Sequence, residues 1–257
     1  MTMGNLMRAQ WFRLAHSWLG YSCLACFVAL TLLVAMSSMD VRFMNEGYLP
    51  GREALPLFEC YSSAFLTLGF VPIVAGFFVS GLVAGDLGGT AKNLVQGPGA
   101  RLAYGGAALL FGLLACALFV ALGMVCVEVV AWARGIPLAV PAAGARLVWF
   151  VQATLCSAAY VALTCAVAMA TGSRMLGMVT ALVLGLGVAG TAAAVVLEGA
   201  GVAAPSEGRF VSGSLSWWTA QLANGPLEGW GWLACAAAVG ALGAGATLLA
   251  ARRRGLD

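Results

Sequence analysis

Charge is what this sequence most lacks: Asp, Glu, Lys and Arg make up 9% of its 257 residues, where a soluble domain carries about 25%. A globule in water needs polar residues to cover its surface, so the shortage excludes an ordinary soluble domain. Histidine occurs once, as His16, which removes histidine metal clusters and Cys/His dyads. There is no G-x-x-x-x-G-K-[ST], so the chain carries no P-loop of its own, and neither His-Glu-x-x-His nor a G-x-S-x-G elbow is present. Without paired intramembrane aspartates either, no catalysis, cofactor or metal is expected of this chain. The net charge of +3 is not gathered into a basic stripe with interleaved aromatics, so nucleic acid is not an expected partner.

What is plentiful is apolar sequence, 62% of the residues, laid out in long runs. A bilayer core about 30 Å thick takes roughly 20 apolar residues in helix, because each backbone polar group must be satisfied within the segment. Runs of that length lie at 18–38, 62–84, 102–133, 147–170, 175–197 and 230–251. They are continuously apolar rather than alternating, which disfavours a β-barrel. The expected fold is all-α, a polytopic transmembrane helical bundle of about six spans forming one domain over 1–257. The third run overshoots a bilayer at about 1.5 Å per residue and should tilt or project near Glu128 and Arg134.

An even number of spans puts both termini on one side, and basic residues indicate which. Arg8, Arg13, Lys92, Arg101, Arg174, Arg252, Arg253 and Arg254 fall on the terminal side, whereas Arg42, Arg52, Arg134, Arg146 and Arg209 fall on the other. Both termini are therefore expected in the cytoplasm, with Arg134 and Arg146 running mildly against the rule. The apolar stretch Leu19 to Val34 is read as a retained first span rather than a cleaved signal. Ahead of it, Leu6, Trp11, Phe12, Leu14 and Trp18 alternate with Arg8, Gln10 and Arg13, which fits an amphipathic segment in the headgroup plane or an interfacial aromatic belt.

Several motifs read as decoys. Cys23-x-x-Cys26 has no second ligand pair and lies in a span, where cysteine packs as a small apolar residue. Gly185-Leu-Gly187-Val-Ala-Gly190 matches G-x-G-x-x-G but lacks a βαβ context. In a span such glycines allow close helix approach, a reading shared by Gly81 with Gly85 and by Gly240, Gly243 and Gly245. Glu128 is the one ionisable residue within an expected span and is read as a carboxylate at headgroup level.

The segment 85–101 between the second and third spans is the informative one. Thr90 can cap a short helix carrying Lys92, Asn93 and Leu94, and Gly97-Pro98-Gly99 then turns the chain back toward the bilayer. By composition alone this is equally an ordinary loop with a positive-inside Lys and Arg. Its order of an acidic residue (Asp86), Gly89-Thr90-x-Lys92-Asn93, a turn and Arg101 resembles the permease subunits of type-2 ABC transporters. Leu87 stands where that family often has an aromatic, and Gly105, Gly106 and Ala107 where it usually has a lysine. The resemblance implies a separate ATPase subunit, which binds ATP and Mg, docked against Asp86, Gly89, Thr90, Lys92, Asn93, Leu94 and Arg101. It also implies a second permease copy or a similar permease, and a bacterial inner-membrane location. An amphipathic substrate would be moved outward, as in small permeases protecting against lantibiotics or bacitracin-like peptides.

The loop 198–229, expected outside, contains Phe210, Trp217, Trp218 and Leu222 between Pro205 and Pro226. It fits either a re-entrant element near an extracellular gate, as similar permeases have, or an aromatic belt at the surface. Two rival classes stand beside the permease: an ion-coupled secondary transporter, which calls for broken midplane helices or intramembrane carboxylates, and a non-transporting membrane scaffold.

Overall fold

In the computed structural model, residues 16–45, 54–87, 98–188 and 210–253 are described, with 8, 12, 190–192, 195, 206 and 207 besides. The main helices are α1 (Trp18–Asn45), α2 (Leu57–Tyr61, continued as a π-helix over Ser62–Leu66), α3 (Phe70–Leu87), α4 (Pro98–Arg134), α5 (Ala143–Thr171), α6 (Arg174–Gly185), α7 (Leu215–Gln221) and α8 (Gly231–Arg253). Four of them, α1, α4, α5 and α8, are each long and apolar enough to cross a membrane, and α2 with α3 forms a fifth candidate bent by 40°. The molecule is a multi-pass helical membrane protein. Extended structure in the described residues is confined to two-residue pairings, Leu55–Pro56 parallel to Leu138–Ala139 and Ser206–Glu207 antiparallel to Phe210–Val211.

The expected runs recur with two changes. The run at 62–84 begins earlier, at Leu57, and is broken at Thr67–Gly69. Gly69 takes φ +64°, open to glycine but costly for other residues, and its N–H donates to Leu66 O at 2.8 Å. The run at 175–197 is interrupted: α6 ends at Gly185, Gly187 takes φ +70°, and helical bonding resumes where Thr191 N donates to Gly187 O at 3.0 Å. Gly172, at φ +66°, closes α5 by donating to Ala168 O, and Ser173 caps α6 by accepting from Leu176 N. The long run forms α4, whose 37 residues extend about 55 Å and so project beyond a bilayer as expected.

The helices alternate in direction. At one end, here the terminal end, a side chain at Gly81 of α3 would collide with Leu19 of α1 and lie 3.7 Å from Arg174 Nε of α6, while one at Gly105 of α4 would lie 3.4 Å from Ala251 of α8. At the far end, Arg134 of α4 meets Asp40 of α1 at 2.8 Å. Small residues allow the crossings between. A Cβ on Gly243 would stand 2.7 Å from the backbone of Ala162 and Leu163, and one on Gly123 would stand 2.7 Å from the Phe65 ring. Among the described residues nothing lies within 4 Å of a side chain placed at Gly85 or Gly245, whereas close approach is found at Gly81, Gly185 and Gly243.

Candidate functional site

Most of the segment expected to meet an ATPase lies outside the described residues: Gly89, Thr90, Lys92, Asn93 and Leu94 all do. Asp86 falls in the last turn of α3, and Arg101, half-buried, in the first turns of α4. The helix ends that flank it lie at the terminal end, Gly81 of α3 beside the starts of α1 and α6 and Gly105 of α4 beside the close of α8. Of the amphipathic N-terminal segment, Arg8, Phe12 and Trp18 are exposed, Phe12 stacking on His16 at 4.3 Å, and Leu6, Gln10, Trp11, Arg13 and Leu14 lie outside the described residues.

The far end is built around ion pairs. Arg146, in the first turn of α5, donates through Nη2 to Glu128 Oε1 of α4 and to the Tyr61 hydroxyl of α2 at 3.2 Å, and the Tyr61 hydroxyl donates to the same Glu128 oxygen. Glu128 is thus a carboxylate held by an arginine and a phenol. The arginines that ran against the positive-inside pattern are each paired to an acid, Arg134 with Asp40 and Arg146 with Glu128. Below them Trp149 is fully buried, with its ring 5.2 Å from Tyr61 and edge-on to Phe65. Cys60, near this end, is buried.

α7 is held against α5 by polar side chains in an apolar setting. Trp149 Nε1 donates to Leu222 O at 2.8 Å, and Gln152 makes a two-point clasp on Leu227, Nε2 donating to its carbonyl at 2.9 Å and Oε1 accepting from its N–H at 2.7 Å. Deeper still, Tyr160 and Ser216 share a hydroxyl hydrogen bond of 2.7 Å. Tyr160 lies about 20 Å beyond Arg146 along α5, near the middle of that helix. The chain after Ser214, whose side chain caps α7 by accepting from Trp217 N, thus starts at mid-bundle depth and climbs back toward the far end. Residues 214–229 thus run along α5, from beside Tyr160 back toward its start.

Ser216 marks a junction of interruptions. A small cavity of about 30 Å³, the space of one water, is lined by Thr67 and Gly69 at the α2–α3 break, by Gly185 and Gly187 at the end of α6, and by Tyr160, Ser216 and Thr219. A Cβ on Gly69 would overlap the Gly185 carbonyl, and one on Gly185 would overlap Ile73. Two glycines of the G-x-G-x-x-G decoy thus divide the work, Gly185 giving close approach and Gly187 the turn. Tyr61, Trp149, Gln152, Tyr160 and Ser216 were not singled out from sequence. The available signal was a polar group inside an apolar run, which for Gln152 and Tyr160 is costly to leave without a hydrogen-bond partner.

Among the described residues no three His, Cys, Asp or Glu side chains converge as a metal would require. A scan against protein-family models and a search of curated proteins both return no match. Fold and site together define a class: a helical membrane protein with interrupted helices meeting inside the bundle.

Proposed function

We propose that the chain is the membrane-spanning permease subunit of an ATP-driven exporter similar to type-2 ABC transporters, crossing the inner membrane about six times with both termini in the cytoplasm. In this reading α1, the bent α2–α3, α4, α5, α6 with the residues after it, and α8 are the crossings. The segment 85–101 receives a separate ATPase subunit through Gly89, Thr90, Lys92, Asn93, Leu94 and Arg101, and an amphipathic substrate leaves at the far end. One observation supports the proposal: the segment with Gly89-Thr90-x-Lys92-Asn93 joins two helices at the terminal end, while α7 packs beside the middle of α5 and the chain after it returns to the opposite end. A coupling element and an exit gate belong on opposite faces in this way. ATP and Mg are assigned to the partner, and a second copy or a similar permease completes the transporter.

The test is co-purification of the tagged chain from its native membrane, followed by mass spectrometry. A stoichiometric ATP-binding subunit is expected, and replacing Thr90, Lys92 and Asn93 together by Ala should uncouple ATP use while insertion proceeds normally. Recovery of the intact chain alone under mild detergent, or unchanged transport by the triple variant, counts against the proposal. The breaks at Thr67–Gly69 and Leu186–Gly187 around a mid-bundle cavity favour the ion-coupled secondary transporter as the second reading. Transport driven by an ion gradient, with no ATPase recovered, would select it.

A further inference from the structure

Beside the Glu128–Arg146 pair the far end opens into a second cavity, of about 260 Å³, lined by Leu57, Trp132, Ile136, Leu138, Val140 and the pair itself. Its chemistry is divided. Glu128 and Arg146 supply opposite charges in contact, both partly exposed at 40% and 31% of their side chains. Trp132, 85% exposed, and Val140 stand at its rim. The internal bonds leave capacity over: both bonds to Glu128 use Oε1, so Oε2 remains an acceptor, and the Arg146 side chain stays partly exposed in the lining of the cavity. A single-signed ion gains little from a neutral pair, since attraction to one member is cancelled by the other. A molecule carrying an anion and a cation a few bonds apart satisfies both. In a membrane protein the apolar rim, with its exposed tryptophan at the end of a spanning helix, lies where head groups meet acyl chains.

We propose that this cavity holds the head group of a zwitterionic phospholipid, phosphatidylethanolamine in class. Its phosphate is held by Arg146, its ammonium by Glu128 and the face of Trp132, and its glycerol region lies over Val140. The site depends only on the chain spanning a bilayer, so it stands whether or not the exporter reading does.

The experiment is native mass spectrometry of the purified chain in detergent, titrated in parallel with phosphatidylethanolamine and phosphatidylglycerol of identical acyl chains. The wild-type chain should retain the zwitterionic lipid several-fold better. Trp132→Ala removes an exposed side chain and should fold normally, but retain that lipid several-fold less. Glu128→Gln leaves Arg146 unneutralised and should turn the preference toward phosphatidylglycerol. Equal retention of the two lipids by the wild-type chain overturns the proposal, as does a preference that both variants preserve. O-phosphoethanolamine, the head group without chains, should compete poorly. Equal binding of that soluble compound would assign the cavity to a free zwitterion and overturn the lipid assignment.

Discussion

Gln152 shows at the scale of one residue what a polar side chain in an apolar helix does. Its amide meets both backbone groups of Leu227, and without it a carbonyl and an N–H are left unpaired. Each such buried group costs about 1–3 kcal/mol, so Gln152→Ala should loosen the chain after α7. Limited proteolysis is expected to cut the 222–229 stretch faster in the variant, with the rest of the cleavage pattern unchanged. The sequence made Glu128 legible because ionisable groups are rare in spans, and the structure gives it a partly exposed partner in Arg146. It did not expose the partnership with Tyr61 and Arg146, which are distant in the chain and brought together by three different helices. Gln152 and Tyr160 were passed over because hydropathy averages a lone amide or phenol into the run around it.

The elements were legible wherever length decided the outcome. Apolar runs of bilayer length became α1, α4, α5 and α8 with ends moved by a few residues, since the same backbone satisfaction that defines a span defines the helix. Breaks inside runs were not legible, because a glycine that permits close packing and a glycine that turns the chain look identical in a sequence. Gly69 and Gly187 adopt positive φ; Gly81 and Gly243 stay helical and serve packing. This distinction is testable. Gly69→Ala combines a left-handed backbone, costing about 1–2 kcal/mol, with overlap on the Gly185 carbonyl, which cannot retreat. It should sharply lower the yield of folded protein and the midpoint of thermal unfolding in detergent. Gly185→Ala instead meets the Ile73 side chain, so Ile73→Ala in the same chain should restore much of the lost stability. Purely additive losses in that double variant would contradict the packing described here.

At the scale of the molecule, the proposed six crossings with cytoplasmic termini make a prediction about sidedness. A fluorescent protein fused after Asp257 should be bright and alkaline phosphatase there inactive, whereas phosphatase joined after Gly213 should be active. The reverse result would invert the topology. Arg134 and Arg146, which ran against that orientation, are each paired with an acid, a partnership that no count of Lys and Arg contains. α4 is the element that spans every level of this organisation. It carries Arg101 near one end and Glu128 and Arg134 near the other, in one helix uninterrupted over 37 residues, and it packs against the broken α2–α3. An unbroken helix of this length is a connecting rod beside a jointed member. A sideways push on the rod at Arg101 must reappear as movement at the Glu128 cavity, and by reciprocity whatever occupies that cavity biases how readily the rod is pushed.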